Sequence, residues 1–591
     1  MTYPNPNPNT SNRRGNVIAA DAIVIGAGIA GLTAAAMLAK DGYRVAVLER
    51  DVHPGGCAAG FSQDGYRFAV GATVAMGFEQ GGVHQRIYQM LGLKPRYMPV
   101  DPAIRVHLPD RKAWVMTDRN AWQAELERAF PGADMAAKKA FWRNVRYLAA
   151  GLAHAAKRFP VMPFKHPWDV LDTAKAAHPA LLPVFANLHR TVADLASDIT
   201  DPYHQAFVDG QLLDAMQTTA EHCVAPNGAL ALDIYRYGCQ YKIGGLETIA
   251  QDLADYVSAQ GGGVYYSTLA KEICLDAHSG SYSGSHRGFH SGAQRVQGVA
   301  TNRAQFEAPV VISAVPLANT AALLADGATS NLPQRADAQP EMWGAFTLYL
   351  GVDERVLPAD VHVYEQVTDL DTHRAAGNCL ISISPAWDRS RAPAGKRAIT
   401  VSTHVDAAKW LEYARDKEVY QQEKQRFEKI LLDQVEHALP NIRQGIDVMM
   451  SGSPRTFYNF TRRSGGTVGG IPQTRAAANF AAPSHRSDIG GLYLAGDTVF
   501  PGQGTLGVSV SGYNAARSAG RFLRRAPPVS GQHHVTENYA IKNHTAENYA
   551  VENHTAENHA VENHAVENHA AETRHKTKVH SPDEYPQEVI T

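Results

Sequence analysis

A β-branched run, Ala22-Ile23-Val24-Ile25, opens directly into Gly26-Ala27-Gly28-Ile29-Ala30-Gly31 and then into an alanine- and leucine-rich stretch ending at Lys40. Nothing else in the chain restricts its fold so sharply. A short apolar run without polar alternation is the pattern of a strand buried on both faces of a parallel sheet. The three glycines permit a tight turn, close approach of bare backbone to a pyrophosphate, and close packing of helix on strand. Leu32 to Lys40 contains neither Pro nor Gly and reads as the helix whose amino terminus, with free N–H groups and a positive dipole end, faces the phosphates. A second strand-like run, Arg44 to Leu48, ends at Glu49, 18 residues beyond Gly31. A carboxylate there accepts hydrogen bonds from a ribose diol and repels a 2'-phosphate, so the motif predicts a dinucleotide and disfavours NADP.

A second glycine-rich signature lies near the other end. Gly491-Leu492-Tyr493-Leu494-Ala495-Gly496-Asp497 is followed by Pro501-Gly502-Gln503-Gly504-Thr505-Leu506-Gly507. Taken together, the two signatures predict FAD. Asp497 follows a buried strand and can accept a hydrogen bond from a ribityl hydroxyl. Leu506 to Leu523 reads as a helix whose first amides, Thr505 to Gly507, point a positive dipole end at the flavin. That end favours the anionic reduced flavin by on the order of 1 kcal/mol.

Between the signatures the pattern narrows. His53-Pro54-Gly55-Gly56-Cys57-Ala58 is followed by Gly65-Tyr66-Arg67-Phe68-Ala69-Val70-Gly71-Ala72-Thr73. The order of strand acid, Pro-Gly-Gly, aromatic strand and Gly-Ala-Thr resembles the carotenoid desaturase and isomerase family of FAD-dependent oxidoreductases. Val70–Thr73, Gly77-Phe78-Glu79-Gln80-Gly81-Gly82-Val83-His84 and Val468-Gly469-Gly470-Ile471 look like its bacterial C-3',4' carotenoid desaturase branch. The likeness is strong over residues 20–100 and 450–525 and fades through 100–235 and 330–450. Many family members carry Arg after the Gly-Gly pair and Asp before the strand's last hydrophobic residue. This chain has Cys57 and Ala69 instead. Cys57 fits the narrower branch, whereas Ala69 removes a carboxylate near the flavin. The resemblance implies that FAD is held by Gly26, Gly28, Ala30, Gly31, Glu49, Arg50, Gly55, Gly56, Cys57, Gly71, Ala72, Ala270, Gly496, Asp497, Gly504, Leu506, Gly507 and Val508.

The expected fold is therefore α/β: a Rossmann-type FAD-binding domain of the amine-oxidase and glutathione-reductase kind with an inserted α+β substrate domain. The nucleotide domain is expected from 18–75, 241–325 and 450–525. A substrate and membrane-facing domain takes 76–240 and 326–449. The first of those segments reads as mainly helical. A helix is predicted over Thr248–Gln260, with strands at Gly263–Tyr266 and Ala270–Leu275, a weak hairpin over Ala277–Gln294, and a buried strand at Pro309–Ala314. Strands at Ala345–Val352 and Arg397–Thr403 and one long charged helix from about Asp406 to Leu439 complete the pattern.

Residues 1–17 read as a disordered leader without the apolar core of a signal peptide. Residues 526–591 read as a disordered tail, with a Glu-Asn-His/Tyr pentapeptide repeated from Glu537 to Ala571. A five-residue period does not keep its histidines on one helix face, and no metal site is predicted. The tail carries ten acids against four Lys and Arg, so the net charge of -2 hides a remainder of about +4. That slight basic bias suits an anionic membrane surface and gives no reason to invoke nucleic acid. The five cysteines lack CxxC spacing and read as reduced cytosolic thiols, and no apolar run spans a bilayer. The expected location is cytoplasmic and peripheral on the membrane, with Phe141-Trp142 through Pro167-Trp168 as a candidate interface. The same segment also suits an amphipathic helix packed on the core.

The activity implied by the resemblance is desaturation that extends a carotenoid polyene, with quinone or oxygen as electron acceptor. The alternatives are carotene cis–trans isomerisation using reduced FAD, and non-enzymatic prenyl-lipid binding on the same fold. The sequence offers no compelling base. Glu79 and His84 (with Arg86) lie in a polar loop and are weak candidates for proton transfer; ordinary capping rules favour them instead as caps of the helix expected at Val83–Leu91 or as partners of each other.

Overall fold

The computed structural model describes residues 17–276, 294–325, 328–372 and 374–525. The leader, apart from Val17, the hairpin expected before Gln294 and the pentapeptide tail lie outside them.

Five short strands form a wholly parallel sheet in the order 263–265, 45–48, 22–25, 311–313, 492–494. Ala22–Ile25 occupies the centre, with Val24 level with Val47 on one side and Ile312 on the other. All four of its side chains are buried, because both faces of the sheet are covered. Ala22 and Val24 meet a helical layer that contains Leu32, Leu253 and Ala515. Ile23 and Ile25 meet Ile273, Val299 and Phe306 of a second, four-stranded sheet. The period-two alternation thus distributes one apolar run between two cores.

The helices on the first face are Ile29–Lys40, Glu247–Ala259 and Gly504–Leu523. The first and last approach very closely. A methyl group at Gly512 would lie 2.2 Å from the Ala30 carbonyl oxygen, so only glycine fits there.

A seven-stranded sheet takes the order 446–452, 343–353, 396–406, 378–383, 364–368, 104–107, 112–115. Its pairings are antiparallel except for 364–368 with 104–107. The helix Lys417–Ala438 covers one face, burying Phe427, Leu431 and Val435 against Phe346 and Leu348.

Three expectations change. Residues 76–235 are not simply helical, because Ile104–His107 and Lys112–Val115 form a hairpin in the large sheet. Their polar members, Arg105 and His107, hide that role. Both are buried against Glu365, which makes them core residues despite their charge. The long charged helix is two, Ala407–Tyr413 and Lys417–Ala438, separated where Asp416 caps the second through Glu418 and Val419 amides. Phe141 and Trp142 are core residues, at 1% and 8% exposure, with Trp142 edge-on to Trp122 at 4.6 Å.

Candidate flavin site

Four strands of the parallel sheet deliver their carboxyl ends to one edge, where open α/β sheets bind ligands. Ile25 leads into Gly26, Leu48 into Glu49, Ser313 into Ala314, and Leu494 through Ala495 to Gly496 and Asp497. Ala314 joins the two glycine signatures. Built on either Gly26 or Gly496, a Cβ would lie 3.7 or 3.6 Å from its carbonyl oxygen. Motifs some 470 residues apart in the chain are thus neighbours at one site.

The glycines divide by role. Gly31 serves packing: a methyl there would sit 2.1 Å from the Gly26 carbonyl oxygen. Gly28 serves access: a Cβ would meet nothing within 4 Å. It caps the helix Ile29–Lys40 with no side-chain hydrogen bond, leaving the first backbone N–H groups for a ligand. Gly55 donates from its amide to the Ala27 carbonyl at 2.9 Å and pairs with Gly28, which lays the Pro54-Gly55-Gly56 loop beside the first turn. At φ +127° Gly55 has a backbone open only to glycine. Gly71 and Ala72 close the far side, the Ala72 amide donating to the Cys57 carbonyl at 3.4 Å.

Glu49 braces this turn and still presents its carboxylate. Oε2 accepts the Ala27 amide at 2.7 Å and Oε1 the Asp51 amide at 2.8 Å. Burial pushes its carboxyl above the usual carboxylate range, with both amides opposing the shift. The Arg50 guanidinium, next along the chain, donates to the Phe460 carbonyl. Ala270 opens a strand two residues after Thr268, whose amide donates to the Glu49 carbonyl at 2.7 Å.

At the second signature, Ser511 Oγ accepts the Gly496 amide at 2.8 Å and fixes the strand end on the last helix. That helix starts at Gly504, again without a side-chain cap, and a Cβ at Gly504 would meet nothing within 4 Å. Gly507 packs on the Gly502 carbonyl, while Leu506 and Val508 pack on the core. Asp497 is held by Arg463, a residue the motifs do not single out, and burial pushes the nearby Cys57 thiol up. Arg463 lies in an Arg-Arg-Ser-Gly-Gly turn that carries no recognisable spacing.

The weak proton-transfer candidates separate. His84 is 1% exposed. Its Nδ1 lies 2.8 Å from the Met76 carbonyl, and its Nε2 lies 3.2 Å from both the Thr505 carbonyl and Ser509 Oγ. Burial lowers its pKa to about 4, so it is a neutral pin between Val83–Leu91 and the last helix. Glu79 is half-buried, with Oε2 lacking a partner, and burial pushes its carboxyl up.

The donor set fits FAD. Two uncapped helix amino termini, side-chain-free loops at Gly28, Gly55 and Gly504, and carboxylates at Glu49 and Asp497 face one edge. Residues 29–519 match the flavin containing amine oxidoreductase family. The chain belongs to that family. This flavin-containing amine oxidoreductase is 29% identical to the chloroplastic prolycopene isomerase of Arabidopsis thaliana, across 84% of this chain and 82% of that protein. It is 25% identical to the neurosporene-forming phytoene desaturase of Rhodobacter capsulatus, across 43% of this chain and 47% of that protein. Its fold matches an oxidoreductase from Methanosarcina mazei with a TM-score of 0.56 at 18% identity, covering 84% of this chain and 99% of that one. The protein is an FAD-dependent oxidoreductase. No helix among the described residues is long and apolar enough to cross a membrane.

Proposed function

We propose that this oxidoreductase is a carotenoid desaturase, introducing a C=C bond of the 3',4' type that extends the polyene. The observation that carries the reading is the Val70–Thr73 and Gly77–His84 sequence, which adjoins the flavin cradle and has the desaturase-like pattern. When bound, oxidised FAD supplies the hydride acceptor, with quinone or oxygen as the final acceptor. The residues that would hold it are those of the two signatures and the Pro54–Cys57 loop, with Arg463 added. Their work is to orient the polyene and exclude water.

The domain boundaries remain part of this reading, with one adjustment. The strand Ile446–Gly452 pairs with Trp343–Asp353, so the last nucleotide segment is better begun after residue 452.

Access from a membrane is supported by exposed apolar side chains in the stretch just downstream of Phe141-Trp142. Leu171, Leu182 and Phe185 are 53%, 71% and 55% exposed, and Phe164 stacks edge-on to Phe480 at 5.6 Å. Lys165 and Lys175 lie in the same stretch, a combination suited to the interface of an anionic bilayer on the cytoplasmic side.

Isomerisation is the second reading, favoured because the prolycopene isomerase similarity runs over 84% of the chain and the desaturase similarity over 43%. Incubating the holoprotein with carotenoid-loaded liposomes, under air or with quinone, separates the two. A red-shifted product two mass units lighter supports desaturation. Unchanged mass with altered isomers, dependent on reduced flavin, replaces it with isomerisation, and absence of bound flavin rejects both.

A further inference from the structure

At the flavin site His84 is sealed between two carbonyls and a hydroxyl, which leaves neither ring nitrogen free to take a proton. Another acid, Asp214, keeps part of its side chain accessible. Asp214, near the end of the helix Pro202–Met216, and His404, on the strand Lys396–Asp406, lie deep in the molecule. Yet their side chains keep 21% and 19% of their surface open.

Their placement ties the pair to the flavin edge. Asp214 is followed by Ala215, whose carbonyl accepts from Gln503, the residue immediately before the last helix. Gln217 packs on Gly469, and the next residue, Gly470, packs on Asp497; a Cβ on either glycine would lie about 2.5 Å from these neighbours. The Gln217 amide nitrogen stands 2.7 Å from His404 Nε2. With that amide donating, a neutral imidazole carries its proton on Nδ1. Nδ1 has no hydrogen-bond partner and stands 3.7 Å from Asp214 Oδ1.

We propose that Asp214 is the proton-accepting group for the reaction at the flavin edge, with His404 as the residue that positions and polarises it. This rests on the polyene reading above. In desaturation, the C–H bond vicinal to the carbon that loses hydride breaks, and its proton goes to the Asp214 carboxylate. The electron pair left behind becomes the second bond between the two carbons, and the hydride leaves with two electrons, for which bound oxidised FAD would supply the acceptor and quinone or oxygen the terminal oxidant.

The surroundings suit that task. Asn378 and Gln366 donate to the two carboxylate oxygens at 3.1 and 2.8 Å, which fixes the group without neutralising it. Burial outweighs these bonds and raises Asp214 to about 7, the range in which a carboxylate can both take and release a proton. The titratable groups packed round it are His404, Tyr235 and Cys379. Burial lowers the imidazole to about 4, raises the thiol to about 12 and raises the phenol, so all three are neutral when Asp214 titrates.

The test uses the FAD-loaded full chain, as wild type, Asp214→Asn and His404→Gln. Infrared difference spectra recorded between about pH 5.5 and 8.5 should show a protonated-carboxyl band that titrates in the wild type and is missing from Asp214→Asn. In carotenoid liposomes, Asp214→Asn should lose at least about 100-fold in kcat with KM and flavin content unchanged. His404→Gln should shift the pH profile rather than abolish turnover. Asp214→Asn activity within about threefold of wild type, or a carboxyl that stays ionised throughout, overturns the proposal. Should Asp214→Asn fail to retain flavin, Asp214→Glu decides: a moved pH profile supports the role and an unmoved one rejects it. If the wild type converts no carotenoid, the polyene reading falls, while the infrared titration still decides whether Asp214 is the proton-holding group.

Discussion

Arg463 Nη2 donates to Asp497 Oδ2 across 2.8 Å, and the two side chains are only 11% and 14% exposed. This buried ion pair fixes the acid at the end of the C-terminal flavin strand. Burial works against the Arg463 charge, but Asp497 opposite holds its pKa above the ordinary value. Breaking such a pair leaves an uncompensated buried charge and costs about 3–5 kcal/mol. Arg463→Met should therefore lower the unfolding midpoint and release most of the flavin, read as free-flavin fluorescence after gel filtration. Full retention with unchanged unfolding removes Arg463 from the site.

The two glycines of the first turn should respond differently. Gly28 has an extended backbone (φ -71°, ψ 171°) and open space above it, so Gly28→Val should fold with a stability change within about 1 kcal/mol and still lose FAD. Gly31→Ala drives a methyl into the Gly26 carbonyl and should cost about 1–3 kcal/mol or more, along with the cofactor. Denaturant unfolding run beside flavin content separates the outcomes, and equal effects on both would refute the division of roles.

Burial of histidines makes the fold acid-sensitive. Burial lowers His84 and His204 to about 4 and His485 to about 3, from 6.5. The unfolded chain therefore takes up protons first, and their contribution is complete above pH 6.5 and lost as pH falls toward 4. Each adds a slope of up to about 1.4 kcal/mol per pH unit across that window. Urea unfolding at a series of pH values should show this loss, and His84→Gln should flatten it. A slope untouched by that change would mean His84 is protonated in the folded protein.

Leu182 and Phe185 give the membrane reading its sharpest test. Both stand well clear of the core. Leu182→Asp with Phe185→Ser should leave flavin content and unfolding unchanged and weaken co-sedimentation with anionic liposomes by at least about tenfold. Undiminished binding assigns the membrane contact elsewhere.

How much of this was legible followed the range of the interactions. Ala270–Leu275 and Val83–Leu91 have the predicted bounds, and the helices at 29–40, 247–259 and 504–523 differ by a few residues at their ends. Each carries its own periodicity and termini. The hairpin at 104–115 escaped because its polar positions are satisfied by Glu365, some 260 residues away. Asp416 interrupts the charged helix through a cap that local charge does not distinguish from a solvated face.

By itself the sequence determined a dinucleotide turn, an acid at the next strand end and a second glycine-rich strand end. Those features depend on backbone freedom and hydrophobic period within a few residues. Only the tertiary structure decided which groups share the flavin edge. It set Arg463 against Asp497, sealed His84 as a pin, and brought Asp214 and His404, 190 residues apart, to within 3.7 Å of each other. Those outcomes depend on burial and distance between remote segments, which no local pattern encodes.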